Sequence, residues 1–176
     1  MILFLPVHFD ANEGLVTVAS MVLLLLFFVL PKRTPMPVAL LIMVFNSYLG
    51  RATDNILAAP FPFDLYDSMD TPLYDLFDFI VYSIPYSLYG YFYVYFYDKF
   101  RLPGAYQVIH ILIWAAASVL FEAVALRLSV FQYKGWHLGY SFPIYLLTFS
   151  LNSLLFHVAM KHNALWKLKK SPKSEP

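Results

Sequence analysis

The sequence predicts an all-α polytopic membrane protein, a bundle of five transmembrane helices, and two observations carry this prediction. Of the 176 residues, 60% are hydrophobic and only 13% are charged, whereas a soluble domain uses roughly a quarter charged residues to cover its surface. The charges also cluster in short stretches that separate long apolar runs. Each run approaches the roughly 20 residues that cross a bilayer as a helix.

The five spans can be placed in order within a single transmembrane domain, residues 1–160. They are expected at about residues 14–30, 36–57, 75–97, 105–126 and 140–160. The segment 58–74 is rich in proline and aspartate, so it is expected to be a loop. Residues 161–176 are expected to form a basic cytoplasmic tail.

The distribution of cations predicts the orientation. Nine of the twelve Lys and Arg residues fall on one side of the five-span arrangement: Lys32, Arg33, Lys99, Arg101, Lys161, Lys167, Lys169, Lys170 and Lys173. Cytoplasmic loops carry such an excess of cations. The N-terminus is therefore expected outside and the C-terminus inside the cell (plasma) membrane, with the basic tail near anionic lipid head groups.

Several polar side chains fall at membrane depth, where an ionisable group is by default a functional candidate. With this topology they converge on the outer side and predict a polar binding pocket: Arg51, Asp54, Asp78, Glu122, Arg127, Asn46, Tyr82 and Tyr86. Each also has a purely structural interpretation. Arg51 could pair with Asp54, one helical turn away, and Glu122 could be neutralised by Arg127 or Arg51.

A stripe of tyrosines runs along the third span at helical spacing: Tyr82, Tyr86, Tyr89, Tyr93 and Tyr97. Because a tyrosine hydroxyl in the membrane needs a hydrogen-bond partner, the stripe is expected to face other helices or a wet cavity. Tyr91 and Tyr95 point elsewhere and are expected to face lipid or the interface. His110 and His157 are expected to hydrogen-bond to each other across spans four and five, without forming a metal site.

The usual catalytic and nucleotide-binding motifs are missing from the sequence, namely G-x-S-x-G, H-E-x-x-H, the Walker loop and G-x-G-x-x-G. The absence of cysteine excludes thiolate metal sites and a cysteine nucleophile. The net charge of +1 gives no reason to expect a nucleic-acid partner. No cofactor is expected, and a non-enzymatic role is favoured over an enzymatic one.

One stretch resembles a group of uncharacterised small multi-span membrane proteins of spore-forming Gram-positive bacteria. It consists of Phe121-Glu122, Tyr133-Lys134-Gly135-Trp136, Tyr140-Ser141 and Pro143-Ile144-Tyr145. In that group a glutamate near a helix end precedes an aromatic loop and a Tyr-Ser start to the last span. The resemblance implies a bacterial plasma membrane and no particular chemistry. The stretch also looks like the helix-end motif of small membrane lycopene cyclases, but the paired carboxylates of those enzymes at the end of the next helix are missing.

Three functions remain open from the sequence. The first is binding or transport of a small solute or ion, as a homo-oligomer or with other membrane subunits, because five spans are few for a complete carrier. The second is a non-catalytic membrane scaffold or sensor. The third is a membrane enzyme acting on a lipid or isoprenoid, with Glu122 or Asp54 as general acid.

Overall fold

The computed structural model describes residues 9–69, 75–100 and 103–170, with side chains described up to residue 164. The helices are α1 (Ala11–Val29), α2 (Met36–Leu57), α3 (Leu76–Val81), α4 (Ser87–Phe100), α5 (Ala105–Arg127) and α6 (Leu138–Lys170), and a π-helical turn (Tyr82–Tyr86) joins α3 to α4. Two short strands, β1 (Tyr66–Ser68) and β2 (Phe131–Tyr133), pair antiparallel. In this described part, four helices are long and apolar enough to cross a membrane, namely α1, α2, α5 and α6. The protein is therefore a helical membrane protein.

The ends of the helices follow local capping signals. Helix α1 begins at Ala11, earlier than the predicted residue 14, because Asp10 and Glu13 form a capping box at its first turn. Helix α6 continues to Lys170, past the predicted end at residue 160. The sequence between these points contains neither glycine nor proline, so nothing local stops the helix. The first part of the expected tail is thus helical.

The helical segment 76–100, made of α3, the π turn and α4, occupies the middle of the bundle. Helix α4 packs against α1, α2, α5 and α6, and residues 90–95 are all buried. The prediction that Tyr91 and Tyr95 face lipid or the interface is therefore wrong, since they are only 3% and 1% exposed. Phe27 of α1 packs edge-on against Tyr91, with ring centres 5.2 Å apart. Helix α1 covers the face that the sequence assigned to lipid.

The π turn is explained by Pro85, which lies inside it. Proline lacks an N–H and clashes with the preceding helical turn, and a single wider π turn relieves that conflict. The hydroxyl of Ser87 donates to the carbonyl oxygen of Tyr82 at 3.3 Å, which satisfies a backbone acceptor inside the apolar bundle. The ring of Tyr86 lies so close to Gly50 of α2 that a Cβ there would collide with it.

Most of the tyrosine stripe faces polar side chains of neighbouring helices, as predicted. The hydroxyl partners are Asp54 for Tyr82, Ser118 for Tyr89, Ser153 for Tyr93, and Gln107 and His157 for Tyr97. Tyr86 contributes to a cavity wall instead. The stripe thus ties segment 76–100 to α2, α5 and α6 through hydroxyl contacts.

A reciprocal amide pair links α2 to α6 in the interior. Asn46 Nδ2 donates to Asn152 Oδ1 at 2.7 Å, and Asn152 Nδ2 donates to Asn46 Oδ1 at 2.9 Å. Each amide also donates to a carbonyl oxygen of its own helix, that of Ile42 and that of Thr148. A Cβ at Gly90 of α4 would overlap the Asn46 side chain. Glycine therefore lets α4 pack directly over the pair.

Candidate functional site

A cavity of about 500 Å³ lies inside the bundle. Its wall is predominantly apolar and is built from α1, α2, segment 76–100, α5, α6 and the two strands. Polar and aromatic side chains gather where the strands cover the helix ends, here called the polar end: Asp54, Tyr66, Glu122, Tyr133, Ser141 and Tyr145. A volume of this size lies within the range of small-molecule pockets.

Asp54, in the last turn of α2, accepts hydrogen bonds from two tyrosine hydroxyls. Tyr82 donates to Oδ2 at 2.7 Å, and Tyr66 of β1 donates to Oδ1. Arg51 does not form the predicted pair with Asp54 among the ion pairs of the described residues. Its guanidinium instead lies over the ring of Tyr82, 5.4 Å from the ring centre. Tyrosine hydroxyls, rather than arginine, hold this carboxylate in place.

Glu122, near the end of α5, accepts three hydroxyl hydrogen bonds. Ser141 donates to Oε1 at 2.7 Å, Tyr133 of β2 donates to the same oxygen, and Tyr145 donates to Oε2 at 2.9 Å. Trp136 donates in turn to Ser141 at 2.9 Å. Both oxygens of this side chain are thus contacted by hydroxyl groups. The expected neutralisation of Glu122 by an arginine is replaced by these hydroxyl contacts.

The two-stranded ribbon brings the two carboxylate environments together. Tyr66 of β1 and Tyr133 of β2 are direct cross-strand partners, so one ribbon places one tyrosine on Asp54 and the other on Glu122. Burial and the nearby Asp54 raise the pKa of Tyr66. Burial and the hydrogen bond to Glu122 raise the pKa of Tyr133. Both hydroxyls therefore stay protonated and act as donors at any physiological pH.

Contacts outside the cavity hold the ribbon in register. Lys134 forms ion pairs with Asp64 at 2.8 Å and with Asp67 at 3.0 Å. The carbonyl oxygen of Leu65 accepts the backbone N–H groups of Lys134, Gly135 and Trp136. These contacts join the loop after α2 to the loop after α5 and so fix the covering of the polar end.

The structure brings only some of the eight residues predicted for the pocket together at the cavity. Asn46, Asp54, Tyr86 and Glu122 line the cavity, and Tyr82 hydrogen-bonds to Asp54. Asp78 caps α3 together with Asp75 and accepts from Ser68 at 3.1 Å. Arg127 is exposed in the last turn of α5, where a cation favours the helix dipole. Arg51, Asp78, Tyr82 and Arg127 are not among the described residues that line the cavity.

The two histidines lie away from the polar end and do not bond to each other as predicted. His110 contacts the carbonyl oxygen of Tyr93 at 3.1 Å, and His157 contacts the hydroxyl of Tyr97 at 3.0 Å. Both are therefore anchored to α4. Within the described residues no group of three or more metal-ligating side chains is close enough to hold an ion.

Sequence reasoning missed most of the hydroxyl groups at the polar end. Tyr66 and Tyr133 reach the carboxylates only because β1 and β2 pair across the bundle, and neither short strand was expected. Ser141 and Tyr145 are four residues apart and so share one face of α6. That spacing could have identified them, had it been compared with the position of Glu122.

The cavity opens to the surface of the helix bundle between α1 and α5. Four of its wall residues are also among the exposed apolar side chains: Val18, Val22, Phe121 and Val124. Val18 is 60% exposed and Phe121 is 64% exposed. In a helical membrane protein such surfaces contact lipid. The apolar part of the cavity is therefore continuous with the lipid-facing surface, whereas the ribbon covers the polar end.

Comparison of the chain with models of protein families, with curated proteins and with solved structures finds no match in any of the three.

Proposed function

We propose that the protein is a five-span integral membrane protein that binds a small lipid-soluble amphiphile inside its helix bundle. The third span is the helical segment 76–100. At about 1.5 Å per residue, this segment is longer than the roughly 30 Å hydrocarbon core of a bilayer. Its central place in the bundle supports this assignment, since α4 contacts α1, α2, α5 and α6.

In the proposed topology the protein spans a bacterial plasma membrane, with the N-terminus outside the cell and the C-terminus in the cytoplasm. The excess of Lys and Arg in the two short connections and the C-terminal region supports it. The polar end of the cavity then lies in the outer leaflet. The basic C-terminal region lies against anionic lipids of the inner leaflet.

The observation that carries the binding function is the division of the cavity wall. Most of the wall is apolar and opens toward lipid between α1 and α5, while the polar end is covered by the ribbon. A molecule with an apolar body and a polar head matches this division in both size and chemistry. Such a molecule partitions into the bilayer and reaches the cavity sideways, without crossing the ribbon.

The test measures quenching of Trp136, which lines the polar end. A Trp114→Phe/Trp166→Phe variant leaves this tryptophan as the only one of the three. The variant is placed in phosphatidylcholine nanodiscs and titrated with a dodecyl alcohol that carries bromine on the chain carbons nearest the hydroxyl, because bromine quenches indole fluorescence on contact and the head group is expected at the polar end. We expect saturable quenching. A purely linear response, equal to that of free lipid partitioning, would refute the proposed function.

A pair of neighbouring substitutions on α1 supplies the control. Ala19 lines the cavity, whereas Met21 is exposed on the outer face of α1 and does not line it. Ala19→Phe fills part of the cavity and is expected to abolish saturable quenching. Met21→Phe adds an aromatic ring to lipid and is expected to leave the titration unchanged. Equal titrations for both variants would place the bound molecule outside the cavity.

A second candidate function is that of a membrane enzyme acting on a lipid or isoprenoid. The presence of two carboxylates, Asp54 and Glu122, at one end of one cavity favours it, because acid–base chemistry often uses such a pair. Lipid analysis of a deletion strain tests it. A lipid species that accumulates in that strain, and that Glu122→Gln fails to clear, would support the enzyme over the binding protein.

A further inference from the structure

The charge at the polar end is one-sided. Asp54 and Glu122 both line the cavity, and the described lining residues include no Lys, Arg or His. A carboxylate inside a membrane protein costs free energy unless a cation or sufficient hydrogen-bond donors compensate it. The hydroxyl donors described above supply part of this compensation. An anionic head group would be repelled here, whereas a cationic one would be attracted.

The acceptor positions that remain free on the two carboxylates can be counted. Each carboxylate offers about four acceptor positions. Asp54 uses two for Tyr66 and Tyr82, and Glu122 uses three for Tyr133, Ser141 and Tyr145. Counted over the part of the chain that the structure describes, two positions remain on Asp54 and one on Glu122. The three N–H donors of a primary ammonium group match this remainder in number.

Aromatic rings surround the same end of the cavity. Tyr66 lies at the centre of this group, with ring centres 6.4 Å from Tyr133 and 6.1 Å from Trp136. Tyr86 and Tyr145 complete the aromatic part of the wall. Aromatic faces attract organic cations through their quadrupole, and more strongly where water is excluded. Rings and carboxylates thus favour the same class of head group.

We propose that the cavity is specific for a lipophilic primary amine, whose protonated head group lies between Asp54 and Glu122 and whose alkyl body lies along the apolar wall. This inference rests on the proposed function, because it names the chemical class of the amphiphile bound there. It predicts that fatty acids and anionic phospholipids are poor ligands of the site. Alcohols with the same chain bring one neutral O–H donor in place of three charged N–H donors, so they bind more weakly through the apolar body and a single hydrogen bond.

The experiment compares three brominated dodecyl probes that differ only in the head group: an amine, an alcohol and a carboxylic acid. Each is titrated against the Trp136 reporter in nanodiscs at neutral pH. We expect the amine to bind at least about tenfold more tightly than the alcohol, since its charged N–H donors form stronger hydrogen bonds than a neutral hydroxyl does. The acid is expected to bind more weakly than either.

Charge variants then locate the effect. Asp54→Asn and Glu122→Gln are each expected to weaken amine binding about tenfold and to weaken alcohol binding by a smaller factor, so that the ratio of the two affinities falls. Asp98→Asn is the matched control, because Asp98 lies at the other end of segment 76–100, beside Arg33. It removes the same charge and should change neither titration. Alcohol binding that remains saturable, at whatever affinity, shows that a variant remains folded.

The outcomes separate the two proposals. Equal affinity of amine and alcohol, with both saturable, would overturn the amine specificity and leave the binding function standing. Loss of amine preference in the Asp98→Asn control would also overturn it, because the effect would then be one of surface charge. Absence of saturable quenching by all three probes would overturn the binding function itself.

Discussion

The buried amide pair between α2 and α6 should contribute strongly to stability, and a double-mutant cycle can measure its contribution. Asn46 and Asn152 are 6% and 0% exposed and exchange two hydrogen bonds across the helices. Interhelical hydrogen bonds in membrane proteins contribute about 0.6 kcal/mol on average and up to about 1.7 kcal/mol. The pair is therefore worth about 1–3 kcal/mol.

Each single substitution breaks the pair and leaves the partner amide unsatisfied. Asn46→Ala leaves Asn152 Oδ1 without its cross-helix donor, and a buried unsatisfied group costs about 1–3 kcal/mol. Asn152→Ala does the same to Asn46. The double variant removes both amides, so its loss of stability should be smaller than the sum by about 1–3 kcal/mol, the worth of the pair.

Unfolding of the purified protein in mixed detergent micelles, followed by far-ultraviolet circular dichroism, supplies the four free energies of the cycle. Ser150→Ala is the control on α6, since Ser150 is exposed and donates only to Leu146 of its own helix among its described contacts. It should change stability by less than about 0.5 kcal/mol. Additive losses for the two asparagine substitutions would refute the reasoning, because they would mean that the amides do not interact.

Three further predictions follow from the packing and from the ribbon. Gly90→Ala would drive a Cβ into the buried amide pair and should destabilise the fold by about 1–3 kcal/mol. As the control, the Cβ of Gly14→Ala meets nothing within 4 Å, so this variant should be neutral or slightly stabilising. Unfolding in detergent compares the two variants. Tyr133→Phe removes a hydroxyl donor to a carboxylate and should lower the free energy of unfolding by about 1.5–3 kcal/mol; a loss below about 0.5 kcal/mol would contradict the assigned contact. Hydrogen bonds to two aspartates raise the pKa of Lys134 above its usual 10.5. The contribution of Lys134 to the stability of the ribbon is therefore complete below pH 10.5 and is lost as the pH rises through the raised value. The fluorescence emission of Trp136 should be unchanged between pH 7 and 10, and Lys134→Met should shift that emission already at pH 7.

The helices were predictable because their signals are local. Apolar runs of spanning length and proline-rich or charged breaks placed α1, α2 and α5 within a few residues of their observed ends. The overrun of α6 has the same local origin, since a basic sequence without a helix breaker remains helical in spite of its charge. Helical spacing also predicted which face of segment 76–100 carries the hydroxyl contacts.

The site was predictable only in part because its geometry depends on long-range pairing. The position of Asp54 and Glu122 near the C-terminal ends of α2 and α5 follows from the predicted bounds of the two spans. Their actual partners come from residues far away in the sequence, and β1 pairs with β2 across 60 or more intervening residues. No local periodicity contains that pairing. The sequence pattern therefore favoured arginine as the partner of each carboxylate, where the structure places tyrosine and serine.

The lipid-facing surface was mispredicted for a related reason. Tyr91 and Tyr95 lie opposite the tyrosine stripe, so a helix with one polar face would turn them toward lipid. The packing of α1 against that face buries them instead. In a bilayer, an apolar helix surface suits lipid and protein equally well. Hydrophobicity alone thus cannot say which apolar face another helix covers.

The most direct test of the central claim is photolabelling with a dodecyl amine that carries a diazirine on its chain, followed by peptide mass spectrometry. Binding inside the bundle predicts labels on cavity-wall residues such as Leu23 and Thr148, removed by excess unlabelled amine and lost in Ala19→Phe. Labels confined to outward-facing residues such as Phe28 and Val44, and insensitive to competitor, would contradict the account.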